Sequence, residues 1–541
     1  MRREPDSPPR STTNLGTERR SATTPVAVTT HSLASQAAVD LMQAGGSAVD
    51  AMIAANAVVA VTLPDTCGPG GDLFALVHEP GDPAPAVLNA SGRAGALVDP
   101  AVMRERYGED MPLRSPETVT VPGCVDGWAA LSERYGAVTL AEALAPAIDL
   151  AREGFEVSPE LAVSLERIRA LIGDQPAAAA IYPGGEPPAA GTVLRRPRLA
   201  DTLEAVATGG REAFYGGEAG AGIVAATGGK VTEDDLARVQ AEWVEPLGSR
   251  VFGRDAWTVP PSSQGYITLA AASIFERIGP PRDPEDPAFV HAAIEAYRAV
   301  AWERDDVLAD PDFMDREPAT LLDPDELRRR AERISGGSPA QWPPPPWRPG
   351  GTAFFCAWDG RGMGVSLIQS NFHGIGSGLS AGDTGVFLHN RGAGFNLRPG
   401  HPNELQPGRR PVHTLSPTLW TTDGSLRLLL GTRGGQFQPQ LLLQVVSHLY
   451  WTGASLRDSQ HRPRWEVSGW EKSSQHHRVH LESRHSDRIE DGLLLRGHDV
   501  VRAGPWETGW GPVAAIEVNG SLVEGAADPR VSTSAAMAAA V

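Results

Sequence analysis

The chain has 541 residues, of which 41% are apolar and only 6% aromatic. This composition suits one large enzyme body or about two to four domains with an aliphatic core. Its formal charge of −18, from 66 acidic and 48 basic residues, argues against a nucleic-acid-binding protein. Collagen-like, coiled-coil and wholly disordered chains are also excluded.

The cysteines and the apolar runs limit the expected environment. Three scattered cysteines, Cys67, Cys124 and Cys356, do not make a disulfide framework. Since no apolar run reaches about 18 residues, no transmembrane helix is expected. Residues 1–25 are polar and lack the apolar segment of a secretory signal. We therefore expect a disordered tail over 1–25 and a soluble cytoplasmic protein without membrane or nucleic-acid partners.

The first half of the chain is predicted to be mostly helical. A helical stretch over 36–61 is interrupted by Gly45-Gly46, and Ser47 to Asp50 has the pattern of a capping box. A tight glycine-rich turn over 68–72 then leads into strand candidates at 73–77 and 87–89. Apolar residues at helical spacing follow at 139–153, 159–172, 199–208, 234–239 and 289–301.

A change of composition divides the chain near residue 351. Residues 336–351 hold six prolines and are predicted to form an extended, exposed linker. Strand candidates follow at 352–358, 363–370, 385–388, 426–430 and 512–518, with a helical pattern at 440–449. Strands in both halves with helices between them predict a layered α/β or α+β body.

The junction Gly350-Gly351-Thr352 admits two interpretations. In the simpler one, a linker meets a strand whose first residue has high β propensity. In the other, the Gly351–Thr352 bond is cleaved and Thr352 gains a free α-amino group. That amine has an ordinary pKa of about 7.7–8.0 and can act as the base for the hydroxyl of Thr352.

The segment after the junction offers a second hydroxyl. Asp359 to Gly362 is predicted to be a four-residue hairpin turn, which places Thr352 opposite Gln369. Ser370 is then one step diagonal to Thr352, or directly opposite it after a one-residue register change. It either hydrogen-bonds the Thr352 hydroxyl or is a strand-end serine bonded to solvent.

In these motifs the chain resembles the γ-glutamyltransferases, which are N-terminal-nucleophile hydrolases. The resemblance runs from about residue 25 to 530 and is carried by a series of short motifs in order around the Gly-Gly-Thr junction. They are Gly45 to Ala51, Gly68 to Asp72, Val121-Pro122-Gly123, Pro146-Ala147-Ile148, Gly209 to Tyr215, Arg409-Arg410-Pro411, Ser416-Pro417-Thr418 and Gly434-Gly435.

The resemblance implies an α+β fold, the four-layer αββα sandwich. It also implies a precursor that cleaves itself between Gly351 and Thr352. The large subunit, 26–351, and the small subunit, 352–541, would form one catalytic body. Thr352 falls on the nucleophile, Ser370 on a second hydroxyl residue, and Gly434 and Gly435 on the glycine pair of the oxyanion hole.

The sequence departs from the family where substrate specificity is set. Arg391 and Gly394 stand where acidic or amide residues normally hold the α-ammonium group of a glutamyl donor. His413-Thr414 replaces a pair of serines that holds the substrate carboxylate, and Arg93 is only an offset candidate for the carboxylate-binding arginine. Asn371, next to Ser370, is a further candidate for substrate binding.

The function expected from these motifs is that of a self-processing amide hydrolase or acyltransferase without a cofactor. Its donor would be a γ-glutamyl compound or a related small acidic amide, and its acceptor water or an amine. One alternative is a non-glutamyl amidase such as an oxamate-type amidohydrolase. Another, of a different class, is an uncleaved and catalytically degenerate binding protein.

Three further patterns favour simpler interpretations. His476, His477, His480 and His485 are close in sequence, but their spacing does not match a closed zinc site, so no metal is expected. Residues 431–435 resemble a phosphate loop but lack its lysine. Cys356 lies within an apolar strand and is predicted to be a packed core thiol.

Overall fold

A computed structural model describes residues 17–343, 350–468 and 478–540 of the chain. The strands, in chain order, are β1 (Thr17–Ser21), β2 (Val26–Thr29), β3 (Asp72–His78), β4 (Ala86–Ala90), β5 (Phe155–Glu156), β6 (Val193–Leu194), β7 (Glu242–Val244), β8 (Leu247–Val251), β9 (Arg254–Thr258), β10 (Gly351–Trp358), β11 (Gly364–Phe372), β12 (Thr418–Thr422), β13 (Ser425–Thr432), β14 (Trp465–Ser468), β15 (Arg478–Glu482), β16 (Asp499–Ala503), β17 (Val513–Asn519), β18 (Leu522–Ala526) and β19 (Ala535–Ala538).

The helices, in chain order, are α1 (Ser32–Gln43), α2 (Ala48–Thr62), α3 (Pro100–Tyr107), α4 (Cys124–Tyr135), α5 (Leu140–Glu153), α6 (Pro159–Ile172), α7 (Pro197–Tyr215), α8 (Glu218–Ala226), α9 (Glu233–Ala237), α10 (Tyr266–Ile278), α11 (Pro287–Ala301), α12 (Arg304–Val307), α13 (Pro324–Glu332), α14 (Gln438–Val446), α15 (Leu456–His461) and α16 (Asp487–Leu495). Across the three described ranges, no helix combines the length and the apolar character needed to cross a membrane.

Two seven-stranded antiparallel sheets form the centre of the molecule. One has the order β19-β2-β10-β11-β3-β4-β7, and the other has the order β1-β18-β17-β13-β12-β9-β8. A core that includes Val28, Phe74, Phe354, Leu429 and Ile516 separates them. Helices α1, α2, α4 and α5 cover the outer face of the first sheet, and α10, α11 and α14 cover the second. The predicted four-layer αββα sandwich is therefore confirmed.

The strand that follows the junction lies in the middle of the first sheet. β10 pairs with β2 on one side and with β11 on the other, so residues from before and after position 351 share one sheet. Both of its faces are buried, which explains the continuous apolar run from Ala353 to Trp358. Helix α2 packs against it, and the predicted capping box of that helix is present between Ser47 and Asp50.

Two sequence predictions need correction. Thr17–Ser21, within the predicted disordered tail, instead form a strand that pairs with β18, and residues 1–16 lie outside the described residues. The predicted strand at 385–388 is instead an irregular loop whose backbone bonds turn back to 377–381, with one isolated bridge from Phe387 to Ser380. Of the predicted linker, residues 344–349 lie outside the described residues.

Candidate active site

The hairpin β10–β11 differs by one residue from the predicted register. Its loop has five residues, 359–363, because the Asp359 carboxylate accepts hydrogen bonds from the backbone N–H groups of residues 361, 362 and 363. Trp358 therefore faces Gly364, and the four-residue turn is wrong. Farther along, Ala353 faces Gln369 and Gly351 faces Phe372, so the register shifts at Thr352.

This register brings two hydroxyl groups and one carbonyl group together. The Thr352 hydroxyl donates to Ser370 Oγ at 3.3 Å, and Ser370 Oγ donates in turn to the carbonyl oxygen of Gly351. The Phe372 N–H donates to Ser370 Oγ at 2.7 Å and so fixes its position. Thr352 is only 2% exposed. The alternative of a strand-end serine bonded to solvent is wrong, since all three partners of Ser370 are protein groups.

The glycine pair lies beside the junction. Gly434 has φ +120° and Gly435 has φ +57°, conformations that favour glycine over other residues. A Cβ atom placed on Gly350 would lie 3.1 Å from Gly435 Cα, so the two backbones are in close contact. The pair therefore lies within reach of a group bound at the Gly351 carbonyl position.

Gln264, which no sequence motif marks, connects several groups of this region. Its side-chain amide donates to the carbonyl oxygens of Thr414 and Gly435, both at 2.9 Å. Its Oε1 accepts from Arg304 Nε at 2.7 Å. Gln264 is fully buried, and it immediately precedes the Gly265 cap of α10. A lone glutamine before a helix carries no recognisable motif, so only the folded contacts reveal its role.

Arg391 lies at a small pocket of about 80 Å³ on one side of the junction. Its guanidinium carbon is 3.4 Å from the centre of the Phe372 ring, and its Nη1 is 3.4 Å from Thr414 Oγ1. Arg304 and Arg398 also line this pocket, together with Asp110 and Asp305 and the residues Phe372, Gly394, Phe395, Asn396, Asn403, Thr414 and Gln436. The pocket thus combines three guanidinium groups with two carboxylates.

The space beside Gly394 is occupied. A Cβ atom at position 394 would lie 2.7 Å from Arg391 Nη2 and 2.6 Å from the Val412 carbonyl oxygen. The absence of a side chain at Gly394 therefore makes room for the Arg391 guanidinium.

His413 belongs to a buried cluster around Asp72. His413 Nε2 lies 3.3 Å and His389 Nδ1 lies 3.4 Å from the same carboxylate oxygen of Asp72. Burial alone would raise the pKa of Asp72, but the two histidines hold it well below its usual value. Burial, with the charge of Arg391, lowers the pKa of His413 to about 4, so this ring is neutral at pH 7. Because Asp72 faces Ser370 across the sheet, the cluster links the loop of Thr414 to β11.

Two other candidates lie apart from the pocket. Asn371 donates its backbone N–H to the Thr66 carbonyl oxygen, and its side chain lies against the turn at Gly71. Arg93 forms an ion pair with Glu242 at 2.6 Å. Neither residue is among those that line the small pocket.

A much larger cleft, of about 1090 Å³, also reaches the junction. Gly350, Gly351, His373, Gly374 and Gly434 are among the residues that line it. Helix α6 and the segments around 433–437 and 508–510 line it as well. The residue before the candidate nucleophile therefore lines the cleft, and Phe372, which faces that residue across the sheet, lines the small pocket.

The remaining sequence patterns are not part of this region. Cys356 is fully buried, and burial raises the pKa of its thiol far above the ordinary value. His480 lies on β15, whereas His476 and His477 lie outside the described residues. Within 17–343, 350–468 and 478–540, no group of three or more His, Cys, Asp or Glu side chains could hold a metal ion.

Comparison with known proteins identifies the family of the chain. The sequence matches the family described as Gamma-glutamyltranspeptidase over residues 34–538. The chain belongs to this family. It is 35% identical over 513 residues to the glutathione hydrolase-like YwrD proenzyme of Bacillus subtilis (strain 168), covering 93% of this chain and 96% of that protein.

Two other members of the family extend the comparison. The oxamate amidohydrolase proenzyme of Klebsiella pneumoniae is 35% identical over 528 residues, covering 94% of this chain and 98% of that one. The crystal structure of a cephalosporin acylase from Bacillus halodurans superimposes with a TM-score of 0.89 at 30% identity, covering 100% and 99% of the two chains. The relatives named in this family are enzymes that differ in their named substrates.

We predict that Gly394→Ala destabilises the protein. The added methyl group has to displace the Arg391 guanidinium or the backbone at Val412, and overpacking of this kind costs about 1–3 kcal/mol. The matched control is Gly336→Ala, because a Cβ atom at Gly336 meets no atom within 4 Å. Thermal unfolding followed by circular dichroism should show a lower Tm for Gly394→Ala alone. Equal Tm values would mean that Arg391 does not fill this space.

Proposed function

We propose that the chain is a self-processing amidohydrolase or acyltransferase with Thr352 as its nucleophile and small acidic amides as its donors. The observation that carries the proposal is the chain of contacts from the Thr352 hydroxyl to Ser370 Oγ and from there to the Gly351 carbonyl oxygen. An attacking group, a proton carrier and the carbonyl under attack are thus aligned in the uncleaved protein.

In the processing step, the Thr352 oxygen attacks the Gly351 carbonyl carbon. Its proton passes to Ser370 Oγ as the Ser370 proton passes to the Gly351 oxygen, so the serine hydroxyl is regenerated. The tetrahedral adduct then loses its C–N bond as the Thr352 nitrogen takes a proton, which leaves an ester. The α-amine of Thr352 is free in this ester, and hydrolysis by water then gives a Gly351 carboxylate and the free Thr352 hydroxyl.

In the turnover step, the same hydroxyl attacks the substrate. The Thr352 α-amine, whose ordinary pKa is about 7.7–8.0, takes the hydroxyl proton and passes it to the departing amine. Backbone N–H groups of Gly434 and Gly435 stabilise the oxyanion, since their side-chain-free backbone allows close approach. Water or an amine acceptor then releases the acyl group from Thr352.

The donor preference follows from the small pocket. Arg391 presents a cation where a glutamyl donor would place its α-ammonium group, whereas Arg304 and Arg398 at the same pocket are paired with Asp305 and Asp306. A carboxylate bound to such groups gains charge-assisted hydrogen bonds of about 1.5–3 kcal/mol each. An acidic acyl group without an ammonium group therefore suits the pocket best. The relative named oxamate amidohydrolase acts, by its name, on a donor of this kind.

The first prediction is that the purified chain splits at Gly351–Thr352. Scaling its 57.3 kDa by length gives fragments of about 37 and 20 kDa, the smaller beginning with Thr352. They should co-purify, because β10 pairs with β2 from the other fragment. Thr352→Ala should stay intact, and Thr352→Ser, which keeps the hydroxyl, should still split. A wild-type chain that stays whole for days at neutral pH would favour a degenerate binding protein.

The second prediction concerns Ser370. Ser370→Ala should slow both chain cleavage and turnover by about 10–1000-fold, because both steps use the same hydroxyl pair. Ser366→Ala is the matched control, since Ser366 lies on the same strand and is equally buried but faces Cys356. Time courses by intact mass and by donor hydrolysis measure the two rates. If Ser370→Ala slows neither rate, the proposed proton carrier is wrong.

The third prediction concerns the donor. The glutaryl anilide differs from the γ-glutamyl anilide only by lacking the α-ammonium group, and it should have a kcat/KM at least about tenfold higher. Arg391→Ala should raise KM for the glutaryl donor, whereas Arg93→Ala, which removes an ion pair with Glu242, should not. A tenfold preference for the γ-glutamyl anilide would show that another residue binds the ammonium group.

A further inference from the structure

The large cleft is lined by Gly350 and Gly351, the two residues before the buried Thr352. Under the proposed function, it is the opening through which a substrate reaches Thr352. When the acyl half of a small amide occupies the pocket at Arg391, its amine half still lies in the cleft through which the amide entered. The residues of the cleft therefore contact the amine half, and their chemistry indicates which amines fit.

The cleft has apolar walls over much of its length. Helix α6 contributes Leu161, Ile168 and Leu171 to one wall, and Phe437 and Trp510 contribute to the other walls. A volume of about 1090 Å³ is much more than ammonia or a methylamine needs. The walls are therefore suited to an amine with a sizeable aliphatic or aromatic body, whose burial against them is favourable.

Three guanidinium groups are placed among these apolar residues. Arg114 donates to the carbonyl oxygens of residues 373 and 376, and Arg433 donates to those of residues 508 and 511. Arg167, on α6, donates to Ser164 Oγ at 3.4 Å. Neutral partners thus hold all three groups, which orients them without neutralising their charge. A carboxylate on the bound amine would supply the missing negative charge.

The carboxyl groups of the cleft are engaged elsewhere. Glu160 accepts from the backbone N–H of Ser532 and from the Thr533 hydroxyl. Burial raises the pKa of Glu466 to about 7, and this group accepts from the Trp510 indole N–H. Burial also raises the pKa of Asp65, against the opposing effects of the Ser164 hydroxyl and the charges of Arg433 and Arg167. The hydrogen bonds of these acids are thus made to groups other than the three guanidinium groups, and Asp65 is the acid whose charge interacts with two of the arginines.

We propose that this cleft binds amines that carry both an apolar body and a carboxylate, so that the substrates are N-acyl derivatives of hydrophobic α-amino acids with a small acidic acyl group. The inference rests on the proposed acyl transfer at Thr352. In that step the amide C–N bond breaks, the acyl carbon bonds to Thr352 Oγ, and the amino acid leaves with the proton taken from the hydroxyl.

The test compares three donors that share the glutaryl group. N-glutarylphenylalanine has both features, N-glutarylphenethylamine has the same aromatic body without the carboxylate, and N-glutarylglycine has the carboxylate without the body. We expect kcat/KM for the first to exceed that for each of the others by about 10–100-fold. Arg167→Gln and Arg433→Gln should reduce the preference over phenethylamine at least threefold. Arg169→Gln, on the same helix but paired with Glu186 outside the cleft, should retain it.

Two outcomes would overturn the proposal. One is a kcat/KM for N-glutarylphenylalanine that is within threefold of that for the phenethylamine amide. The other is an equal effect of Arg167→Gln and Arg169→Gln on the preference.

If the processed protein hydrolyses none of the three donors, the proposed function fails. A binding measurement then tests separately whether the cleft accepts an apolar group that carries a carboxylate. Calorimetric titration with 3-phenylpropionate should then show binding that Arg167→Gln weakens about tenfold and Arg169→Gln leaves unchanged. No binding at millimolar concentration, or equal binding by both variants, would reject the site.

Discussion

The hydrogen bond from Ser370 Oγ to the Gly351 carbonyl oxygen is the contact on which the rest of the site depends. It places the Gly351 carbonyl and the buried Thr352 hydroxyl beside the same serine oxygen in the middle of the first sheet. Several features of the surrounding fold hold this contact in place. The register shift at Thr352 brings Ser370 alongside it, the Phe372 N–H fixes the serine oxygen, and the Asp359 loop sets the register from the far end of the hairpin.

The buried cation at Arg391 is the second constraint. A guanidinium group with only 2% exposure is costly to bury unless its surroundings compensate. The Phe372 ring beneath it and the Thr414 hydroxyl at its edge provide favourable contacts, and the bare backbone of Gly394 provides the room. Phe372 therefore acts on both sides, because its N–H fixes Ser370 and its ring supports Arg391. Phe372 thus links the pocket residue Arg391, to which we assign donor specificity, with Ser370 beside the proposed nucleophile.

The sequence was sufficient to predict the four layers and the strand that starts near residue 352, because these depend on local patterns and on motifs in order along the chain. It was not sufficient for the contacts of individual side chains, near or far along the chain. The Asp359 carboxylate adds a residue to a turn that composition alone makes four residues long, through bonds to backbone groups two to four residues away. Gln264 joins the carbonyls of Thr414 and Gly435, which lie 150 and 171 residues farther along the chain, with no motif to mark it. The Gln264 contacts exist only in the folded chain.

The most direct test of the central claim is to trap the acyl group during turnover. The processed enzyme is mixed with excess glutaryl donor, quenched in acid and digested with trypsin, and the peptide 352–361 is sequenced by mass spectrometry. This peptide also contains Cys356, so the experiment separates the two possible nucleophiles. Our account predicts one glutaryl group on Thr352, and the same result for Cys356→Ala. A glutaryl group on Cys356 or on another peptide, with none on Thr352, would contradict it.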